Sequence, residues 1–268
     1  MNKGKAGSGV DFGMPTLIET ETLEDCAQLC RELGLRFIEL NMNLPQYQLD
    51  QICAKTLLES AKRYGIYYTI HLDEGLNVTD LNRRVAEAYR ETVYETIELA
   101  VGLGCPILNM HLSPGVHFTL PDRKVCLFEQ YRQRYLEDMG SFRDECQRRI
   151  GGRDVTICVE NSGGYQSFQL AGLDLLLESP VFGLTYDIGH DHCAGGVDGP
   201  EILVRGARLR HMHVHDAMGA KDHLPLGSGE LPLGDHLALA QAQGCRVVLE
   251  TKTIQGLRQS VAWVRSHV

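Results

Sequence analysis

Short apolar, β-branched runs alternate with longer amphipathic stretches along almost the whole chain. The runs VDFGM (10–14), RFIELNM (36–42), IYYTIHL (66–72), PILNMHL (106–112), VTICVEN (155–161), FGLTYDI (182–188), LRHMHVH (209–215) and RVVLETK (246–252) read as strands. The stretches between them carry helical spacing. Thr22 precedes Leu23, Ala27, Leu29, Cys30 and Leu33, and Asp25 three residues on completes a capping-box pattern. A long amphipathic pattern over 79–103 stops at Gly104, and a charged helical stretch over 123–150 ends at Gly151 and Gly152. A further helix is expected from 168 to 178, before Pro180. Eight strand–helix units in strict alternation predict an α/β fold with a parallel sheet, and eight is the number that closes into a single (β/α)8 TIM barrel. An open doubly wound sheet would also alternate, but it is usually served by a Gly-rich phosphate loop, and neither GxGxxG nor a Walker pattern occurs. No linker or low-complexity stretch divides the chain, so one domain is expected over residues 1–268.

Composition narrows the classes. The length of 268 residues suits one barrel of about 250 residues. With 26 basic and 35 acidic side chains the formal charge is −9, which disfavours binding to nucleic acid or anionic membranes through net charge. No apolar run reaches the length of a membrane span, and no apolar segment follows Lys3 and Lys5 as in a secretory signal. Nine cysteines without a CxxC pair read as free, mostly buried thiols, and the cytoplasm is the expected compartment.

The chemistry sits at the ends of the strands. His71, His111, Glu160, Asp187 and Glu250 fall at or near the C-terminal ends of their runs, with His190 three residues beyond Asp187. His211, His213 and His215 alternate along the seventh run and share one face. His223 lies in the long segment before the eighth. A barrel gathers these ends at one rim, where its active sites are built. Neutral imidazoles and carboxylates are the donors for Zn2+ or Mn2+, and buried carboxylates are costly without a cation, so a metal site is expected. His211 reads as a packed, hydrogen-bonded residue and His215 as a support outside the ligand set, while Glu39 either lines the pocket or serves as a support or salt-bridge partner. His192 reaches less well than His190, and His117, His236 and His267 read as solvated surface histidines.

The stretches YTIHLDEG, ILNMHLSPG, ICVENSGG, LTYDIGHDH, HMHVHDA, DHLPLGSGEL and VVLET resemble the xylose isomerase-like barrel superfamily, which holds sugar isomerases and epimerases together with endonuclease IV-type enzymes. The epimerase resemblance implies one divalent ion (Mn2+, Zn2+, Co2+ or Mg2+) on Glu160, Asp187, His213 and Glu250, with His190, His71 and His111 facing substrate. It implies that Glu160 and Glu250 act as acid and base across a metal-stabilised enediolate, on a sugar, sugar phosphate or related polyol or keto compound. A metal-assisted hydride shift is the other course within that class. The endonuclease resemblance implies up to three zinc ions, adding His71, His111, His190 and His223 to the ligands, and a phosphodiesterase acting on abasic DNA. The chain departs from that pattern at Lys221, where an aspartate is expected two residues before His223. Lys221 is instead a candidate substrate contact. Both glutamates are present, which a non-catalytic binding barrel would not require. The expected partner is a small carbohydrate-like molecule, with no membrane, and the outer helices leave a homo-oligomer open.

Overall fold

The computed structural model describes residues 10–268. Eight parallel strands close into a barrel: β1 (Asp11–Pro15), β2 (Phe37–Asn41), β3 (Tyr67–His71), β4 (Ile107–His111), β5 (Thr156–Glu160), β6 (Phe182–Asp187), β7 (Leu209–Val214) and β8 (Arg246–Leu249). Neighbours in space are neighbours in sequence, and β1 pairs with both β2 and β8. Outward positions such as Ile38, Leu40, Ile70, Met110, Val159 and Met212 are fully buried, or nearly so, beneath the helical layer. The period of two leaves the intervening positions to the barrel interior, where Glu39, Thr69, Asn109, Thr185 and His211 mix with the apolar Phe37, Cys158 and Val248. Gly13 on β1 makes room for an aromatic floor, because a Cβ there would overlap the Phe37 ring. Phe37 stacks on Tyr67 at 5.2 Å, and His211 packs against it.

The helices follow their end signals. α1 (Leu23–Glu32) starts on the expected capping box between Thr22 and Asp25. α2 (Ala54–Tyr64) and α3 (Arg83–Leu103) end on left-handed Gly65 and Gly104. α3 starts four residues later than its amphipathic pattern, because Asn82 caps it by accepting from Arg84 N. The stretch expected as one helix over 123–150 is three pieces. Lys124–Cys126 pairs antiparallel with His117–Thr119, a helical turn covers Leu127–Gln130, and α4 covers Arg132–Ile150. Pro121 lies in the turn between the paired segments, where its fixed φ favours a reversal. α5 (Ser167–Leu177) agrees with expectation to within a residue. The sixth unit carries two short helices, α6 (Ile188–Cys193) and α7 (Asp198–Leu203), in place of one long one. The segment after β7 holds a second hairpin, Asp216–Met218 with Lys221–Leu224, before α8 (Leu233–Gln243), and α9 (Ile254–His267) follows β8. All nine cysteines are free, and six are buried. Among the described residues, no helix is long and apolar enough to cross a membrane.

Candidate metal centre

Register brings the strand-end residues level. Asp187 pairs with His213 across β6 and β7, and His111 with Glu160 across β4 and β5. Glu160, Asp187, His213 and Glu250 each place a ligand atom within 4.8 Å of the others. Their exposures are 1%, 0%, 0% and 8%. His213 Nδ1 lies 3.2 Å from Glu160 Oε1, 3.0 Å from Glu250 Oε2 and 3.8 Å from Asp187 Oδ2. One ring nitrogen thus faces three carboxylates, and a single N–H offsets only part of that charge. Glu250 Oε2 is buried without a hydrogen bond of good geometry. A divalent cation fits this donor set, which is one imidazole and three carboxylates in a buried pocket.

The surrounding side chains hold each carboxylate in place. Asn109 Nδ2 donates to Glu160 Oε2 in a short contact, and Thr185 Oγ1 donates to Asn109 Oδ1 at 2.6 Å. His71 Nε2 and His111 Nε2 approach Glu160 Oε2 at 3.3 and 3.1 Å. Burial opposes charge on His71, but the Glu160 carboxylate outweighs it and lifts the imidazole to about 9. His190 is opposed by burial in the same way and is lifted to about 10 by Asp187 and Glu160. Burial would raise the carboxyls of Glu160 and Glu250, yet His213 and the neighbouring histidines hold both well below the usual range.

Asp187 is fixed from three sides. Its Oδ1 caps α6 by accepting from His190 N at 2.7 Å, and its backbone exchanges two hydrogen bonds with the Asn161 amide. His215 supplies the third. His215 Nδ1 accepts from His223 N at 2.8 Å, so its proton sits on Nε2, 3.1 Å from Asp187 Oδ1. His215 thereby helps to hold Asp187 in place. Gly189 is required beside it, since a Cβ there would overlap the His215 ring. His223 stacks on His215 at 4.3 Å, and its Nε2 lies 3.4 Å from Glu250 Oε1. Its backbone is left-handed (φ 52°), a conformation that costs a non-glycine residue and often marks a functional position.

Residues 27–267 match the sequence model of the xylose isomerase-like TIM barrel family. The chain belongs to this family. An uncharacterized protein of Methanocaldococcus jannaschii is 28% identical over 190 residues, a match that spans 66% of this chain and 61% of that relative. Solved structures with the same fold include a D-tagatose 3-epimerase-like protein (22% identity, TM-score 0.77, covering 96% of this chain and 97% of that one). The 3-keto-D-glucoside 4-epimerase of E. coli is 16% identical with a TM-score of 0.75, over 96% of this chain and 99% of its own. The IolI protein, solved with a bound zinc atom, is 16% identical with a TM-score of 0.73, over 97% and 99%.

Within this member of the xylose isomerase-like family, the structure collects His71, His111, Glu160, Asp187, His190, His213, His223 and Glu250 at one rim. Lys221 is exposed in the hairpin opposite Met218 and, among the described residues, makes no ion pair. The lysine at the cluster is Lys252, whose Nζ lies 2.8 Å from Glu250 Oε1. It ends the run RVVLETK, two residues beyond Glu250, and its position was readable from the strand-end pattern used for the acids. Asn109 was concealed by its neutral side chain in an apolar run. His211 and Glu39 meet beneath the cluster at 2.9 Å. His236 is not a solvated surface residue: it is half-buried with its ring edge-on to Tyr186 at 5.7 Å, because α8 packs it inward. His117 is exposed in the first hairpin, and His267 stacks on Trp263 at 4.2 Å.

Proposed function

We propose that the chain is a divalent-metal-dependent isomerase or epimerase acting on a sugar, sugar phosphate or related polyol or keto compound. The observation that carries this reading is the pair Glu160 and Glu250, on β5 and just past β8, converging with Asp187 on His213 Nδ1. A divalent ion held by these four side chains would supply positive charge where negative charge develops on adjacent substrate oxygens. The two glutamates approach from different walls of the barrel, so one can take the proton beside a carbonyl and the other can return it from the opposite face. Asn109, His71 and His111 orient Glu160, while Lys252 and His223 orient Glu250. His190, with a side chain 20% exposed, is placed to meet a substrate hydroxyl at the mouth of the pocket. Neighbours named as D-allulose and D-psicose 3-epimerases, one in complex with D-allulose and another in the presence of D-fructose, support ketoses as the first substrates to assay.

The test is solvent exchange. With Mn2+ in D2O, the protein is expected to place deuterium on a carbon next to the carbonyl of a ketose. Glu160→Gln and Glu250→Gln should each lower the exchange rate by about 100-fold or more. Undiminished exchange in both variants overturns the acid–base assignment. A second reading is favoured by His71 and His111 at Glu160 Oε2, which extend the donors beyond one ion. That reading is a zinc-dependent phosphodiesterase acting on abasic DNA. The exposed Lys221, where an anionic ligand would be needed, stands against it. Chelator-sensitive incision of an abasic duplex would establish it over the isomerase reading.

A further inference from the structure

Beneath the metal-facing set lies a second buried charge that the acid–base scheme does not use. Glu39 on β2 is 1% exposed and points into the barrel interior. Its Oε2 lies 2.9 Å from His211 Nε2 and accepts from Thr69 Oγ1 at 3.0 Å. Its Oε1 lies 2.8 Å from His213 Nε2, in a contact bent from the ideal hydrogen-bond line. His211 Nδ1 is buried without a partner, so the His211 proton belongs on Nε2, facing Glu39. The carboxylate thereby gathers Thr69, His211 and His213, three side chains from two strands on either side of the barrel.

His213 is the shared member. A bare nitrogen lone pair 2.8 Å from a carboxylate oxygen is repulsive, whereas an N–H at that distance is attractive. A cation held among Glu160, Asp187 and Glu250 would take the Nδ1 lone pair, which leaves the single ring proton on Nε2, facing Glu39. We propose that Glu39 is a positioning residue for the metal centre: it holds the His213 proton on Nε2, and so presents Nδ1 to a divalent cation. His211 and Thr69 in turn hold Glu39. This inference rests on the metal-dependent reading above. It assigns the buried Glu39–His211 pair a task that packing alone does not supply, since apolar residues would fill the same interior without burying a charge. A carboxylate behind a metal-bound imidazole typically accounts for 10–100-fold in metal affinity.

The test is a Mn2+ titration of chelator-treated protein by calorimetry, comparing the parent chain with Glu39→Gln and Thr69→Val. The amide of Glu39→Gln can turn an N–H toward His213 Nε2 and shift the proton to Nδ1, so the expected result is Mn2+ binding weakened by about 10–100-fold. Thr69→Val keeps both histidine contacts and should weaken binding less than Glu39→Gln does. Mn2+ binding by Glu39→Gln within about twofold of the parent overturns the positioning role while leaving the metal centre intact. A parent chain that does not bind Mn2+ overturns the metal-dependent reading itself. Should Glu39→Gln not fold, the parent chain answers alone. Long-range 1H–15N spectra of Zn2+-loaded, 15N-histidine-labelled protein should show His213 protonated at Nε2. Protonation at Nδ1 overturns the proposal.

Discussion

His71 shows how a single ring reports on the state of the site. Its Nδ1 donates to the Leu72 carbonyl at 2.7 Å, so Nε2 faces Glu160 either as an N–H of the imidazolium or as a lone pair. In the metal-free protein the carboxylates favour the imidazolium, with His71 lifted to about 9 and His190 to about 10. Both values lie above the ordinary 6.5, so these charges stabilise the metal-free fold fully below about pH 6.5 and lose that contribution as pH rises through 9 to 10. A divalent ion supplies the same compensation and displaces protons. Mn2+ uptake at pH 7.5 is therefore expected to release protons, seen as binding heats that differ between buffers of different ionisation enthalpy. The release should fade above about pH 10. Heats independent of the buffer at pH 7.5 would contradict this electrostatic account. At this scale, charged strand-end residues were legible in the sequence, because a His or carboxylate closing an apolar run is conspicuous. Asn109 and Thr185 were not, since small neutral side chains in a strand look like ordinary sheet residues.

Elements decide where the less regular parts of the rim lie. Asp216 is 1% exposed just past β7, and its carboxylate accepts from the backbone N–H groups of Ala217, Gly227, Gly229 and Leu231 at 2.8–3.1 Å. It thus ties the segment between β7 and α8, which carries His223 and Lys221, to the barrel. Gly229 is needed there, because a Cβ would strike the Ala217 carbonyl and the Asp216 carboxylate. Asp216→Ala should lower stability by about 3 kcal/mol and make residues 217–231 sensitive to limited proteolysis, as one buried and three part-buried N–H groups lose a charged acceptor. An unchanged denaturation midpoint with no new cleavage would contradict the tether. The spacing of Asp216 to Gly227 and Gly229 contains no periodic signal, so the clamp was not legible in the sequence. For a related reason the 123–150 pattern ran through the hairpin strand Lys124–Cys126. That strand is three residues long, too short to interrupt helical spacing visibly.

The whole molecule repeats the alternation of its sequence more faithfully than any of its parts. Eight apolar runs became eight consecutive barrel strands because each outward face pairs with a neighbouring helix, and a parallel strand–helix–strand order constrains the topology. Closure explains why residues as distant as Glu39 and His211, 172 positions apart, meet inside the barrel. That contact requires the register of two strands from opposite ends of the chain, which a linear reading does not contain. Closure also explains how a chain of net charge −9 places three carboxylates together in its interior. A divalent cation is expected to offset them there. Anomalous diffraction at the manganese edge, from crystals of the Mn2+-loaded protein, tests it most directly. The expected result is a peak within about 2.0–2.3 Å of His213 Nδ1 and of carboxylate oxygens of Glu160, Asp187 and Glu250. Full loading with no peak between those four residues would show that the cation does not offset them.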